Sequence, residues 1–110
     1  MEDRKLLGAL GENLAEAMLY AEGYEILERN FRSRFGEIDI IGMQGDTVLF
    51  VEVKTRTGDL FGLPREAVSE QKMRRMRKTA EYYLMRTGLT DAAVAFDVIE
   101  ILVDRIRDAF

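Results

Sequence analysis

The chain has 110 residues, 47% of them apolar and 33% charged, with a formal net charge of −4 and neither cysteine nor histidine. Such a length holds one domain with a sizeable core. The missing cysteines exclude disulfides and thiolate metal sites, and the missing histidines exclude the usual neutral-pH general base and the usual zinc ligand. Catalysis would have to run on carboxylates, lysine, tyrosine or a hard, oxygen-bound cation such as Mg2+ or Mn2+.

In chain order, Leu6, Leu7, Leu10, Leu14, Ala17, Met18 and Ala21 recur at helical spacing, which predicts an amphipathic helix from about Arg4 to Ala21, capped by Gly23. Tyr24 to Phe31 alternates as a strand, and Ser33 to Gly36 reads as a turn. Glu37 to Ile41 and Thr47 to Lys54 follow as strands around a hairpin turn at Gln44-Gly45-Asp46. The second of these is apolar on both faces, the mark of a central strand. Thr55 to Pro64 holds Gly58, Gly62 and the one proline and predicts a loop. Helical spacing returns from Arg65 to Thr87, and Ala93 to Val103 is the last strand. The order αβββαβ in a single domain, residues 1–110, predicts an α/β fold with a mixed sheet flanked by helices. No stretch is apolar and long enough to span a bilayer. Met1-Glu2-Asp3-Arg4-Lys5 does not read as a secretory signal. No membrane partner and a cytoplasmic address are expected.

Glu52 and Lys54 lie two apart, and so on one face of the central strand. Alone, they read as an ion pair at a strand end. Asp39, between isoleucines on the preceding strand, changes that reading, because closure at Gln44-Gly45-Asp46 brings it within reach of Glu52. Two carboxylates in an apolar setting repel unless a proton or cation intervenes. Magnesium takes one or two carboxylates, waters and phosphate oxygens. Glu37 shares the face of Asp39 and is either a third acid or a solvated strand end. On the second helix a wheel places Lys72 within the stripe Val68, Met73, Met76, Ala80, Tyr83 and Leu84, with Gln71 at its edge. Lys72 either snorkels or reaches the anionic site. Glu12 lies away from the leucine stripe, in line with Gly8, Ala15 and Leu19. Small residues around an acid suggest a closely packed face, although taken alone Glu12 is an ordinary exposed glutamate.

Gly11-Glu12, Gly23-Tyr24, Asn30-Phe31-Arg32, Gly36-Glu37-Ile38-Asp39, Phe50-Val51-Glu52-Val53-Lys54 with Arg56, and Asp108-Ala109-Phe110 together resemble the YraN-like family of bacterial proteins. That family looks distantly similar to archaeal Holliday-junction resolvases in the PD-(D/E)XK nuclease superfamily. The resemblance implies a restriction-endonuclease-like core and metal-dependent hydrolysis of DNA, branched or junction DNA included, by an enzyme that forms a homodimer. It implies that Asp39, Glu52 and the Val53 carbonyl hold the metal, that Lys54 is the catalytic lysine and that Glu12 orients the metal or its water. Lys72 matches a lysine of the second helix, but Met73 follows it where the family often has glutamine.

Arg32, Arg34, Arg56, Arg74, Arg75 and Lys78 are the expected phosphate contacts, since arginine grips phosphate through paired hydrogen bonds. The segment from Thr57 to Gly62, with Leu60 and Phe61, is expected either to close over substrate or to meet a second subunit. Two other readings compete with the nuclease: a nucleic-acid-binding accessory protein with the nuclease fold and little activity alone, and a structural module whose acids are internally paired.

Overall fold

The computed structural model describes residues 2–57 and 68–110. Thr47-Val-Leu-Phe-Val-Glu-Val-Lys-Thr-Arg-Thr, β-branched or apolar at most positions, forms the longest inner strand and organises the rest. The elements are α1 (Glu2–Ala21), β1 (Glu25–Ser33), β2 (Gly36–Gln44), β3 (Thr47–Thr57), α2 (Glu70–Thr87) and β4 (Ala93–Val103). They build one sheet of order β1-β2-β3-β4. β1, β2 and β3 meander antiparallel, with Gly45 left-handed in the second turn at φ 59°. α2 carries the chain over so that β4 runs parallel to β3, from Thr47↔Ala93 to Thr57↔Val103. The αβββαβ order and the mixed sheet are as the sequence predicts.

Each sheet face carries one helix and one core. On the α1 side Ala15 and Leu19 pack on Ile40, Leu49, Val51 and Ile99. On the α2 side Ala80 and Tyr83 pack on Ile38, Ile41, Val48 and Phe50. β3 therefore sends its odd residues to α1 and its even ones, Glu52 and Lys54 among them, toward α2.

Two expectations about the helices need correction. In α1 the leucine stripe is not the buried face: Leu6, Leu10, Leu14 and Met18 are 43–62% exposed. The line of Gly11, Ala15 and Leu19, with Glu12 beside it, meets the sheet instead. The reason is closeness. A Cβ on Gly11 would lie 2.0 Å from the Thr55 hydroxyl oxygen, so only a small-residue face lets α1 approach the end of β3. α2 begins at Glu70, because the Ser69 hydroxyl caps it by accepting the Lys72 N–H at 3.1 Å; residues 65–67 of the expected helix lie outside the described residues. Val68 lies before the helix, and Met76, Thr79, Ala80 and Tyr83 form its buried face. Gly88, left-handed at φ 75°, ends it. Residues 58–62 of the expected closing loop lie outside the described residues. Among the described residues no helix is long and apolar enough to cross a membrane.

Candidate functional site

Asp39 stands where the sheet loses its regular alternation. Arg29 pairs with Ile40 and Phe31 with Ile38, yet Arg29 and Ile40 face α1 while Phe31 and Ile38 face α2. Residues two apart in a regular strand share a face, so both strands change face at the intervening pair, Asn30 opposite Asp39. Asn30 takes up the change in the left-handed region, φ 52°, which asparagine tolerates better than most side chains. The β2–β3 pairing is regular as far as Ile40↔Val51, so Asp39 and Glu52 stand at the next step.

There Asp39 does not point to either face. Its Oδ2 accepts the backbone N–H of Val53 at 2.7 Å, a side chain taking the place of a strand-to-strand hydrogen bond. The carboxyl lies near the plane of the sheet and feels acids from both sides: Glu52 on the α2 side, Glu12 on α1, and Glu37 on its own strand. Burial, followed by these like charges in that order, raises its pKa from 3.8 to about 6, against the opposing pull of the Val53 hydrogen bond. In an extended strand the N–H and C=O of one residue project to the same side, so the Val53 carbonyl faces the gap beside Asp39.

Glu52 is 7% exposed. Its Oε1 accepts Lys72 Nζ at 2.5 Å, which gives the buried acid the partner it needs. Of the two sequence readings of Lys72, the structure selects the reach to the acidic site. Asp39 and Glu52 open into one cleft of about 370 Å3, lined also by Gly36, Glu37, Ser69, Gln71, Lys72, Arg75 and Met76. Lys54 follows Glu52 on the same face, in register with Glu100 of β4.

On the opposite side of the sheet Glu12 accepts from Arg29 Nη2 at 3.2 Å, while Arg29 Nη1 donates to Asn13 at 2.7 Å and lies 3.8 Å from Glu16. Arg29 is the residue that sequence reasoning passed over: it orients Glu12 from β1. No sequence signal marked it, because a charge on an irregular strand has no pattern to betray its partner.

The expected phosphate contacts separate into three groups. Arg56 is withdrawn from solvent, its side chain 12% exposed and its Nε donating to Glu100 at 2.9 Å. Arg32 and Arg74 pair loosely with Glu37 and Glu70, at 3.6 and 4.0 Å, and stay exposed. Arg34, Arg75 and Lys78 have no carboxylate within ion-pair distance among the described residues. Arg75 lines the cleft.

The donor set suits a hard cation. Among the described residues no three carboxylates form a ready-made cage. What the cleft offers is two carboxylates, each with one oxygen not engaged in the contacts above; the main-chain carbonyl of Val53 projects from β3 toward the Asp39 strand. Magnesium and manganese accept that pattern, completing their shells with water and phosphate oxygens. The pKa of Asp39, raised first by burial and then by the neighbouring acids, reflects a cost that a bound cation would relieve.

Residues 11–101 match the model of the uncharacterised protein family UPF0102. The chain is 45% identical over 102 residues to a UPF0102 protein of Moorella thermoacetica, covering 93% of this chain and 85% of the relative. It is also 45% identical over 106 residues to one of Clostridium tetani, covering 96% and 87% of the two chains. A third, from Syntrophus aciditrophicus, is 46% identical over 110 residues, covering 94% and 87%. The chain belongs to the UPF0102 family.

Proposed function

We propose that this chain is a metal-dependent endonuclease of the PD-(D/E)XK type that hydrolyses phosphodiester bonds in DNA, branched DNA included. The observation that carries the reading is the pairing of Asp39 and Glu52 across neighbouring strands into one cleft, with the carboxyl of Asp39 raised to about 6 by burial and by its acidic neighbours. Lysines stand beside them: Lys72 on Glu52, and Lys54 two residues further along β3.

In this reading Asp39, Glu52 and the main chain of Val53 would hold Mg2+ or Mn2+. The chemistry such a cation supplies when bound is a lowered pKa for water and neutralisation of phosphate charge. The chain's own residues do the rest. Val53 N–H fixes the Asp39 carboxylate. Lys54 presents its ammonium to charge developing on the phosphate. Lys72 holds the Glu52 carboxylate in place, and Arg29 holds Glu12 on the far side, where it adds to the negative field at Asp39. Hydrolysis joins a water oxygen to phosphorus, breaks the bond to the leaving sugar oxygen and returns a proton to it. Cytoplasmic location and a homodimer belong to the same proposal.

Cleavage of branched, nicked and linear DNA with Mn2+ or Mg2+ tests it, using Asp39→Asn, Glu52→Gln and Lys54→Ala. Metal-dependent cuts abolished by the three changes are expected. Cuts untouched by them would reject the site. One observation favours the accessory-protein reading as an alternative: the Lys72 ammonium already neutralises Glu52. That reading expects salt-sensitive DNA binding that survives Glu52→Gln, with no cuts.

A further inference from the structure

Next to the acidic cleft lies a surface of a different kind. The β1–β2 hairpin turns at Arg34 and Phe35, between the paired Ser33 and Gly36. Its tip is fastened to α2: Ser33 Oγ lies 3.0 Å from the hydroxyl of the fully buried Thr79 and accepts the Phe35 N–H, also at 3.0 Å. Gly36 sits against α2 so closely that an added Cβ would touch the Arg75 side chain at 3.4 Å. A half-buried phenylalanine is thus held in one place instead of waving on a free turn.

Two cations cover its ring, Arg34 with its guanidinium carbon 4.9 Å from the centroid and Lys78 with its ammonium at 5.7 Å. Tyr82, 39% exposed, stands beside it, lining both adjoining hollows with Phe35. Arg86 donates to the Tyr82 hydroxyl at 3.3 Å. One acid, Glu81, lines the outer hollow. On a chain of net charge −4, Arg34 and Lys78, with no carboxylate partner among the described residues, gather around two aromatic rings. What this patch lacks is an anion that also carries a flat face.

We infer that the hairpin tip is a stacking subsite for an unpaired nucleotide, with Phe35 and Tyr82 taking the base and Arg34 and Lys78 the flanking phosphates. The inference rests on the nuclease reading for its meaning, since it makes strand ends, flaps and junction arms better substrates than continuous duplex. Bases stacked inside a duplex offer no free face, whereas aromatic rings interleaved with cations are the usual equipment for holding a single strand. An entering base takes the ring face that Arg34 covers in the free protein and releases the guanidinium to the neighbouring phosphate. Gly36, the next residue along, lines the carboxylate cleft, so the held strand leads toward Asp39 and Glu52.

The test is binding by the full chain in EDTA, which silences metal-dependent cleavage. Fluorescein-labelled oligothymidylate, oligouridylate and a blunt duplex of equal length are titrated by anisotropy. The protein's own tyrosine emission is followed in parallel, because the chain has four tyrosines and no tryptophan. Phe35→Ala is expected to weaken single-strand binding roughly 5- to 150-fold and duplex binding by less than about twofold, while Phe35→Trp retains or tightens it. Tyrosine quenching by the oligonucleotide should fall in Tyr82→Leu. Preference for thymidylate or for uridylate assigns the strand as DNA or RNA. If circular dichroism shows Phe35→Ala unfolded, Phe35→Leu, which keeps the apolar bulk without the stacking face, replaces it. Equal losses on single strand and duplex, or no loss on either, overturn the inference, the second outcome leaving the patch as a docking place for something other than nucleic acid. Cleavage with Mn2+ is scored apart. A chain that binds through Phe35 but never cuts keeps this subsite and loses the nuclease reading; one that cuts without the Phe35 preference does the reverse.

Discussion

Asparagine at position 39 should make the protein more stable at neutral pH while removing its activity. Asp39 is held among Glu52, Glu12 and Glu37, with a pKa of about 6 in the fold against 3.8 for the ordinary carboxyl. Below 3.8 it is protonated whether folded or not, and the site carries no penalty. Between 3.8 and about 6 the folded chain keeps a proton that the unfolded chain has lost, so stability falls as pH rises through this window. Above about 6 the ionised carboxylate opposes folding with its full weight. At about 1.4 kcal/mol per pKa unit the difference is about 3 kcal/mol for a dry site. The group is only part-buried, and solvent screening reduces the figure to about 1–2 kcal/mol. The amide oxygen of asparagine can still accept the Val53 N–H, so the substitution removes charge and keeps the hydrogen bond. Urea unfolding of both proteins from pH 3.5 to 8 (about 1–3 kcal/mol per molar urea for a domain of this size) measures the effect. Asp39→Asn should match the parent at the acid end and exceed it by about 1–2 kcal/mol at pH 8. A variant equally destabilised across the whole range would show that Asp39 is a structural acceptor and not a frustrated acid.

Other expectations follow from the same geometry. Lys72→Met leaves Glu52 buried and unpaired and should cost about 1–3 kcal/mol at pH 8, with most of it recovered by Glu52→Gln in the double variant; chemical unfolding reads both. Gly11→Ala drives a methyl into Thr55 and should cost about 1–3 kcal/mol, relieved by Thr55→Ala; failure of that relief would refute the close approach of α1. Mn2+ at about a hundred times its Kd should stabilise the parent by about 2.7 kcal/mol in thermal unfolding. That gain should vanish in Asp39→Asn and shrink below about pH 6, where the proton competes for the same carboxyl. If about four cations meet phosphate, the log–log salt slope for duplex binding should be about −3.6, and Arg75→Ala should reduce its magnitude by about 0.9.

The fold was legible in the sequence because its strands have clean periods and its turns carry glycine. The short turn after Gln44 sets the register of β2 on β3, and from that register alone Asp39 falls opposite Glu52. Apolar periodicity misled in α1, where the stripe of Leu6, Leu10, Leu14 and Met18 stays exposed and Gly11, Ala15 and Leu19 make the contact. There the sheet selects for distance of approach, not for hydrophobicity. The line through Gly8, Glu12, Ala15 and Leu19 carried that information, and the acid within it. The change of face at Asn30 and Asp39 was invisible, because a left-handed residue inside a strand leaves no periodic trace. Partner choice among charges was equally hidden: Arg29 on Glu12, and Arg56 turned inward to Glu100, depend on which side of the sheet each strand presents. The aromatic tip at Phe35 emerged only once α2 was laid beside the hairpin.

The most direct test of the account is diffraction from crystals soaked in manganese, with the ion located by its anomalous scattering. One Mn2+ held jointly by Asp39 and Glu52, with the Val53 carbonyl among its ligands at about 2.0–2.4 Å, is the result expected. Density at only one of the two carboxylates, or none in the cleft at millimolar manganese while Lys72 stays on Glu52, would contradict it.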